Sequence, residues 1–159
     1  MSVSVLFVCL GNICRSPTAE AVFTHVVKKA CLTDKVVIDS AGTAAYHVGK
    51  SPDMRARDAA KKRGYEMSHL IGRQISDKDF ESFDYVLAMD TANFNDLLER
   101  CPDAYRSKVK LFLSYGSCSE SEVPDPYYGG HSGFLTVLDL IEDASQGLLA
   151  AITNKADEV

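Results

Sequence analysis

No stretch of this sequence approaches the roughly 18 to 20 uninterrupted apolar residues of a membrane span, and its first residues lack the basic and apolar regions of a secretory signal. These absences predict a soluble, cytoplasmic protein. The five cysteines, Cys9, Cys14, Cys31, Cys101 and Cys118, are odd in number and show no paired C-x-x-C spacing. Neither a disulfide framework nor a structural metal site is indicated, and reduced thiols are expected. Basic residues are not in excess. A net charge of −5 argues against a nucleic-acid binder, which needs a basic face to collect phosphates. Repeats, low-complexity tracts and Pro/Ser-rich linkers are also missing, so the 159 residues, 46% of them hydrophobic, predict one domain over 1–159 with a sizeable core.

Four strand candidates, residues 3–8, 36–39, 85–89 and 109–113, alternate with helix candidates. This predicts an α/β fold, a four-stranded parallel sheet flanked by helices on both faces. After Pro17, residues Ala19, Phe23, Val26, Val27 and Ala30 follow helical spacing. Asp53 is placed to cap a helix stopped by Gly64. Ser76 opens a capping box with Asp79, and Asp90 or Thr91 starts a further helix. Phe134, Leu138, Ile141 and Leu148 share one stripe of a last helix from about residue 132. Ligands bind at the carboxyl ends of strands in such sheets. The residues around Cys9, Ser40, Asp90 and Asp125 should therefore meet on one rim.

The richest segment is Cys9-Leu10-Gly11-Asn12-Ile13-Cys14-Arg15-Ser16, between a buried strand and a helix start. A loop of this kind aims backbone N–H groups and the positive end of a helix dipole into one concavity, which suits a tetrahedral dianion. A thiol at its base gains from the same field, because an unperturbed pKa of about 8.5 leaves only a few per cent thiolate at neutral pH. Arg15 supplies a planar fork for two phosphoryl oxygens, and the Ser16 hydroxyl can stabilise the thiolate. Gly11 permits close approach. Asn12 tolerates a left-handed conformation, with Ser40 a candidate tether. Expelling a phenolate, whose conjugate acid has a pKa of about 10, needs a proton donor. Asp125, in Asp125-Pro126-Tyr127-Tyr128, supplies one. Asp90 can cap its helix or steady the Asp125 loop.

These segments, with Asp39-Ser40-Ala41-Gly42-Thr43, Arg73-Gln74-Ile75 and Met89-Asp90, resemble the low-molecular-weight protein tyrosine phosphatases over nearly the full length. The resemblance implies a flavodoxin-like fold of the phosphotyrosine protein phosphatase I type. It implies a cysteinyl-phosphate intermediate without metal or other cofactor, with Cys9 as nucleophile, Arg15 binding phosphate and Asp125 as general acid and base. Leu10, Gly11, Asn12, Ile13, Cys14 and Ser16 would then cradle the phosphate, Ser40 and Asp90 support the loop, and Tyr46, Tyr127 and Tyr128 rim the cleft. It also implies a reversible Cys9–Cys14 disulfide guarding the nucleophile. Partners would be phosphotyrosine proteins and free phosphate, with the chain a monomer or weak dimer. Two positions depart from the pattern. Many eukaryotic members carry a bracing histidine three residues before the Arg-Gln-Ile segment, whereas His69 lies four before Arg73; it is carried here as a support residue. His47 stands where an acidic or amide side chain is common. The alternative on the same fold is a thiol-dependent arsenate reductase, which needs further cysteines for a disulfide relay.

Overall fold

The computed structural model describes residues 2–126 and 130–157. Strands β1 (Val3–Cys9), β2 (Val36–Gly42), β3 (Tyr85–Ala88) and β4 (Val109–Leu111) form one parallel sheet in the order β2-β1-β3-β4. Around it lie helices α1 (Arg15–Lys29), α2 (Met54–Lys62), α3 (Asp77–Ser82), α4 (Thr91–Arg100) and α5 (Gly130–Asp157). The chain steps from β1 out to β2, then crosses back over β1 to reach β3. Strand order therefore reverses between β1 and β3, and the crevice that this leaves at their carboxyl ends is where such sheets bind ligands.

Side-chain alternation in β1 divides the core. Val5, Phe7 and Cys9 face a cluster with α1, α2 and α5, while Leu6 and Val8 face Phe80 of α3 and Leu97 of α4. Phe7 meets Phe23 and Phe112 edge-on, with ring centroids 5.8 and 4.9 Å apart, a geometry suited to aromatic quadrupoles. Helix α1 starts earlier than Pro17 alone would suggest, so that Arg15 and Ser16 already belong to its first turn. Strand β2 runs three residues past its expected end. Gly42 continues the ladder opposite Cys9 and bridges to Gln74.

Strand β4 is shorter than its apolar run. Phe112–Tyr115 turns into a 3₁₀ segment, because burial of Phe112 and Leu113 is achieved against α5 rather than in the ladder. An apolar run alone does not distinguish these outcomes. No helix among the described residues is long and apolar enough to cross a membrane.

Gly147 of α5 meets the 3₁₀ segment so closely that a Cβ there would lie 1.7 Å from the Tyr115 carbonyl oxygen. Alanine normally favours a helix over glycine by about 1 kcal/mol. Here Gly147→Ala is expected to destabilise instead, by about 3 kcal/mol through overpacking, read from the urea unfolding midpoint.

Candidate active site

The loop between β1 and α1 closes around Cys9. Its Sγ is 3.0 Å from Ser16 Oγ and accepts the Asn12 N–H at 3.3 Å. Asn12 adopts φ 58°, the left-handed region that Asn tolerates better than most residues. Its buried amide ties the loop to its surroundings. Nδ2 donates to Ser16 Oγ (2.8 Å) and to Ser40 Oγ on β2 (3.0 Å), and Oδ1 accepts the Arg73 N–H (3.0 Å).

Backbone pairing fixes the rest of the loop. Thr43 N–H donates to Cys9 O, Ala44 N–H to Leu10 O and Asp53 N–H to Ile13 O. Gly42 is required by this closeness, since a Cβ would stand 2.7 Å from Leu10 O and 3.2 Å from Asn12 N.

Arg15 is nearly buried. Its Nη1 donates to Asp90 Oδ2 at 2.6 Å and to Val123 O at 3.0 Å. Asp90 also caps α4 through Oδ1 and the Asn93 N–H (2.7 Å). One carboxylate thus starts a helix and orients the arginine, a pairing that the sequence reading did not contain. Burial works against the Arg15 charge, but Cys9 and the bond and charge of Asp90 outweigh it and hold its pKa above the ordinary value. Burial acts oppositely on the second loop cysteine. Together with the charges of Asp53, Cys9 and Asp125 it pushes the Cys14 thiol up to about 12.

A cavity of about 310 Å³ opens above the loop, lined by Cys9, Leu10, Gly11, Ile13, Cys14, Arg15, Tyr46, His47 and Asp125. Asn12, Ser16 and Ser40 lie beneath it and brace it. Tyr127 and Tyr128 fall outside the described residues. His69 does not brace the loop. It is exposed and lines a separate cavity, while the Arg73 backbone N–H occupies the Asn12 acceptor. No cluster of metal-ligating side chains occurs among the described residues.

Glu20 was missed by the sequence reading. It lies one helical turn after Ser16, on the same face of α1, and its Oε1 accepts the Ser40 hydroxyl at 2.6 Å. Burial, with a push from Asp39, raises its pKa to about 7 against the opposing effects of the Ser40 bond and Arg73.

Fold and loop together define an α/β protein with a thiol-bearing oxyanion site at a sheet switch point. Residues 4–158 match the sequence model of the family described as low molecular weight phosphotyrosine protein phosphatase. The Schizosaccharomyces pombe protein of that name is 48% identical over 153 residues, covering 95% of this chain and 97% of its own. The human one is 45% identical over 136 residues, covering 84% and 85%. A crystal structure of an Entamoeba histolytica protein tyrosine phosphatase with Hepes in its active site superposes with a TM-score of 0.95 at 46% identity, covering 98% of this chain and 99% of the other. The chain belongs to the low molecular weight phosphotyrosine protein phosphatase family.

The Glu20 carboxyl gives a pH-dependent stability. Its folded pKa of about 7 exceeds the ordinary 4.5, so the folded state holds the proton more tightly and stability falls as pH rises from 4.5 to 7. Relative to Glu20→Gln, the wild type is expected to lose ~3 kcal/mol across that window and no more above it, measured by urea unfolding at each pH.

Proposed function

We propose that the chain hydrolyses phosphotyrosine in proteins, and small aryl phosphates, through a phosphocysteine intermediate. What carries the reading is a single pocket holding a thiol, an arginine and a carboxyl group, with the thiol receiving a backbone N–H and a hydroxyl contact. Cys9 Sγ attacks phosphorus, the P–O bond breaks and Asp125 gives its proton to the leaving phenolic oxygen. Asp125 then takes a proton from water as its oxygen attacks phosphorus. The S–P bond breaks, and phosphate leaves as the thiolate is restored. Both Arg15 contacts on protein use Nη1; a two-oxygen grip on the phosphoryl group calls on the Nε–Nη2 edge. Loop N–H groups and the start of α1 stabilise the equatorial charge.

Tyr46, 74% exposed and lining the pocket, offers a flat wall for a phenyl ring above the loop floor. Such depth favours the longer phosphotyrosine side chain over phosphoserine. His47 beside Tyr46 tunes preference among phosphopeptides. We place the protein in the cytoplasm, as a monomer or weak dimer built of one domain.

The reading includes Cys14 as a redox guard. A peroxide oxidises Cys9 to the sulfenic acid, and the Cys14 sulfur then displaces water to form the disulfide. Burial and the Asp53 charge still hold the Cys14 thiol above its ordinary pKa once Cys9 is oxidised, so Cys14 resolves slowly at neutral pH. Disulfide formation after a peroxide pulse is expected to accelerate about tenfold per pH unit between 7 and 9, followed by mass spectrometry.

Beyond Cys9 and Cys14, an arsenate reductase relay finds no third thiol at this pocket. Cys101 is buried and donates to Pro102 O, and Cys118 is exposed beside Asp143. Cys9→Ser is expected to abolish turnover of phenyl phosphate. Asp125→Ala should slow that reaction by about 10²- to 10⁴-fold, with a smaller loss for nitrophenyl phosphate, whose leaving group is a weaker base. Steady-state kinetics on the two esters measure the difference; equal losses would remove Asp125 as the acid.

A further inference from the structure

We propose that Glu20 is a positioning residue for the Cys9 thiol, fixing through Ser40, Asn12 and Ser16 the direction of the hydroxyl protons beneath it, and that ionisation of Glu20 is felt at Cys9. The argument is one of hydrogen-bond polarity. Asn12 cannot flip, because its Oδ1 accepts the Arg73 N–H. Its two amide protons therefore go to Ser16 and Ser40, and both hydroxyl oxygens act as acceptors. Each hydroxyl has one proton left to place. Ser40 gives its proton to Glu20 at 2.6 Å. Ser16 chooses between Cys9 Sγ at 3.0 Å and Ala41 O at 3.4 Å.

An ionised Glu20 makes the Ser40 bond charge-assisted, about twice as strong as its neutral counterpart, and polarises the Ser40 oxygen as an acceptor for Asn12. The amide is then held firmly enough to keep the Ser16 proton on sulfur. Protonation of Glu20 relaxes the chain and lets Ser16 turn toward Ala41. The groups facing Glu20 set where this occurs. Asp39 of β2 opposes its ionisation and Arg73 favours it. It opens onto a cavity of about 250 Å³, where α1 contributes His25 and Lys28 and the segment after α2 contributes Glu66 and His69. With a carboxyl pKa of about 7, the relay would change state at neutral pH.

This inference rests on the reading of Cys9 as nucleophile only for its consequence in turnover, and its test reads the thiol itself. Alkylation of Cys9 by iodoacetamide is followed across pH 5 to 9, with the modified residue located by fragment mass spectrometry. In the wild type the alkylation rate is expected to show a step near pH 7, about fivefold faster above it than the low-pH branch extrapolates to. Glu20→Gln, which keeps an acceptor oxygen without the charge, should lack that step and follow the low-pH branch throughout. Ser40→Ala should lack it too. Superimposable wild-type and Glu20→Gln profiles would overturn the proposal. So would a step that survives in Ser40→Ala, or a thiolate disfavoured above pH 7, since either indicates direct charge repulsion rather than a hydrogen-bond relay. Loss of turnover in Cys9→Ser is a separate result and bears only on the phosphatase reading.

Discussion

The Asn12 side chain is the joint on which this site depends. A loop with several N–H groups turned toward one point leaves its own dipoles uncancelled and needs holding from outside. Asn12 does this with one buried amide that reaches α1 through Ser16, β2 through Ser40 and the segment before α3 through the Arg73 backbone. Its own N–H meets Cys9 sulfur, and its left-handed φ turns the chain from that contact on toward α1. Three elements far apart in sequence thus agree on one loop conformation before any substrate arrives. That preorganisation is what makes fixed dipoles effective in a buried site.

Arg15 is held by a second, independent set of contacts on the other side of β1. Asp90 follows β3, and Val123 is tied to the same strand end through its N–H to Met89 O. Removing an arginine from water is costly, and a close carboxylate with an added carbonyl acceptor offsets much of that cost. The Val123 contact has a geometric consequence as well. It lies two residues before Asp125, so the arginine and the carboxyl at the pocket mouth are referenced to one another through a short, fully buried anchor.

The sheet was legible from apolar runs alternating with helix starts, and the rim from the rule that binding residues gather at strand ends. Cys9, Arg15, Ser16 and Asp125 were legible because their chemistry is rare and local. Contacts made through main-chain atoms were not. Nothing in the side chain of Val123 or Arg73 announces that its carbonyl or N–H completes the site. His69 misled for the related reason that a suitable side chain one residue out of register reads well in sequence yet faces another cavity. Glu20 carried a signal, its i+4 spacing from Ser16, but a glutamate on a helix is ordinarily a solvated one. Only the closeness of Ser40 makes it otherwise.

Charge explains how an acidic chain builds a site for a dianion. The net charge of −5 describes the whole surface, whereas the pocket responds to what lies within a Debye length, about 8 to 10 Å. Within that range the loop holds two thiols five residues apart, and the structure treats them differently. Cys9 receives an N–H and a hydroxyl and faces the arginine that its charge helps to keep protonated. Cys14 is buried near Asp53 and Asp125, which penalise a second anion. Keeping Cys14 neutral leaves the positive potential of the loop undivided, available first to the thiolate and then to the phosphoryl group that replaces its charge.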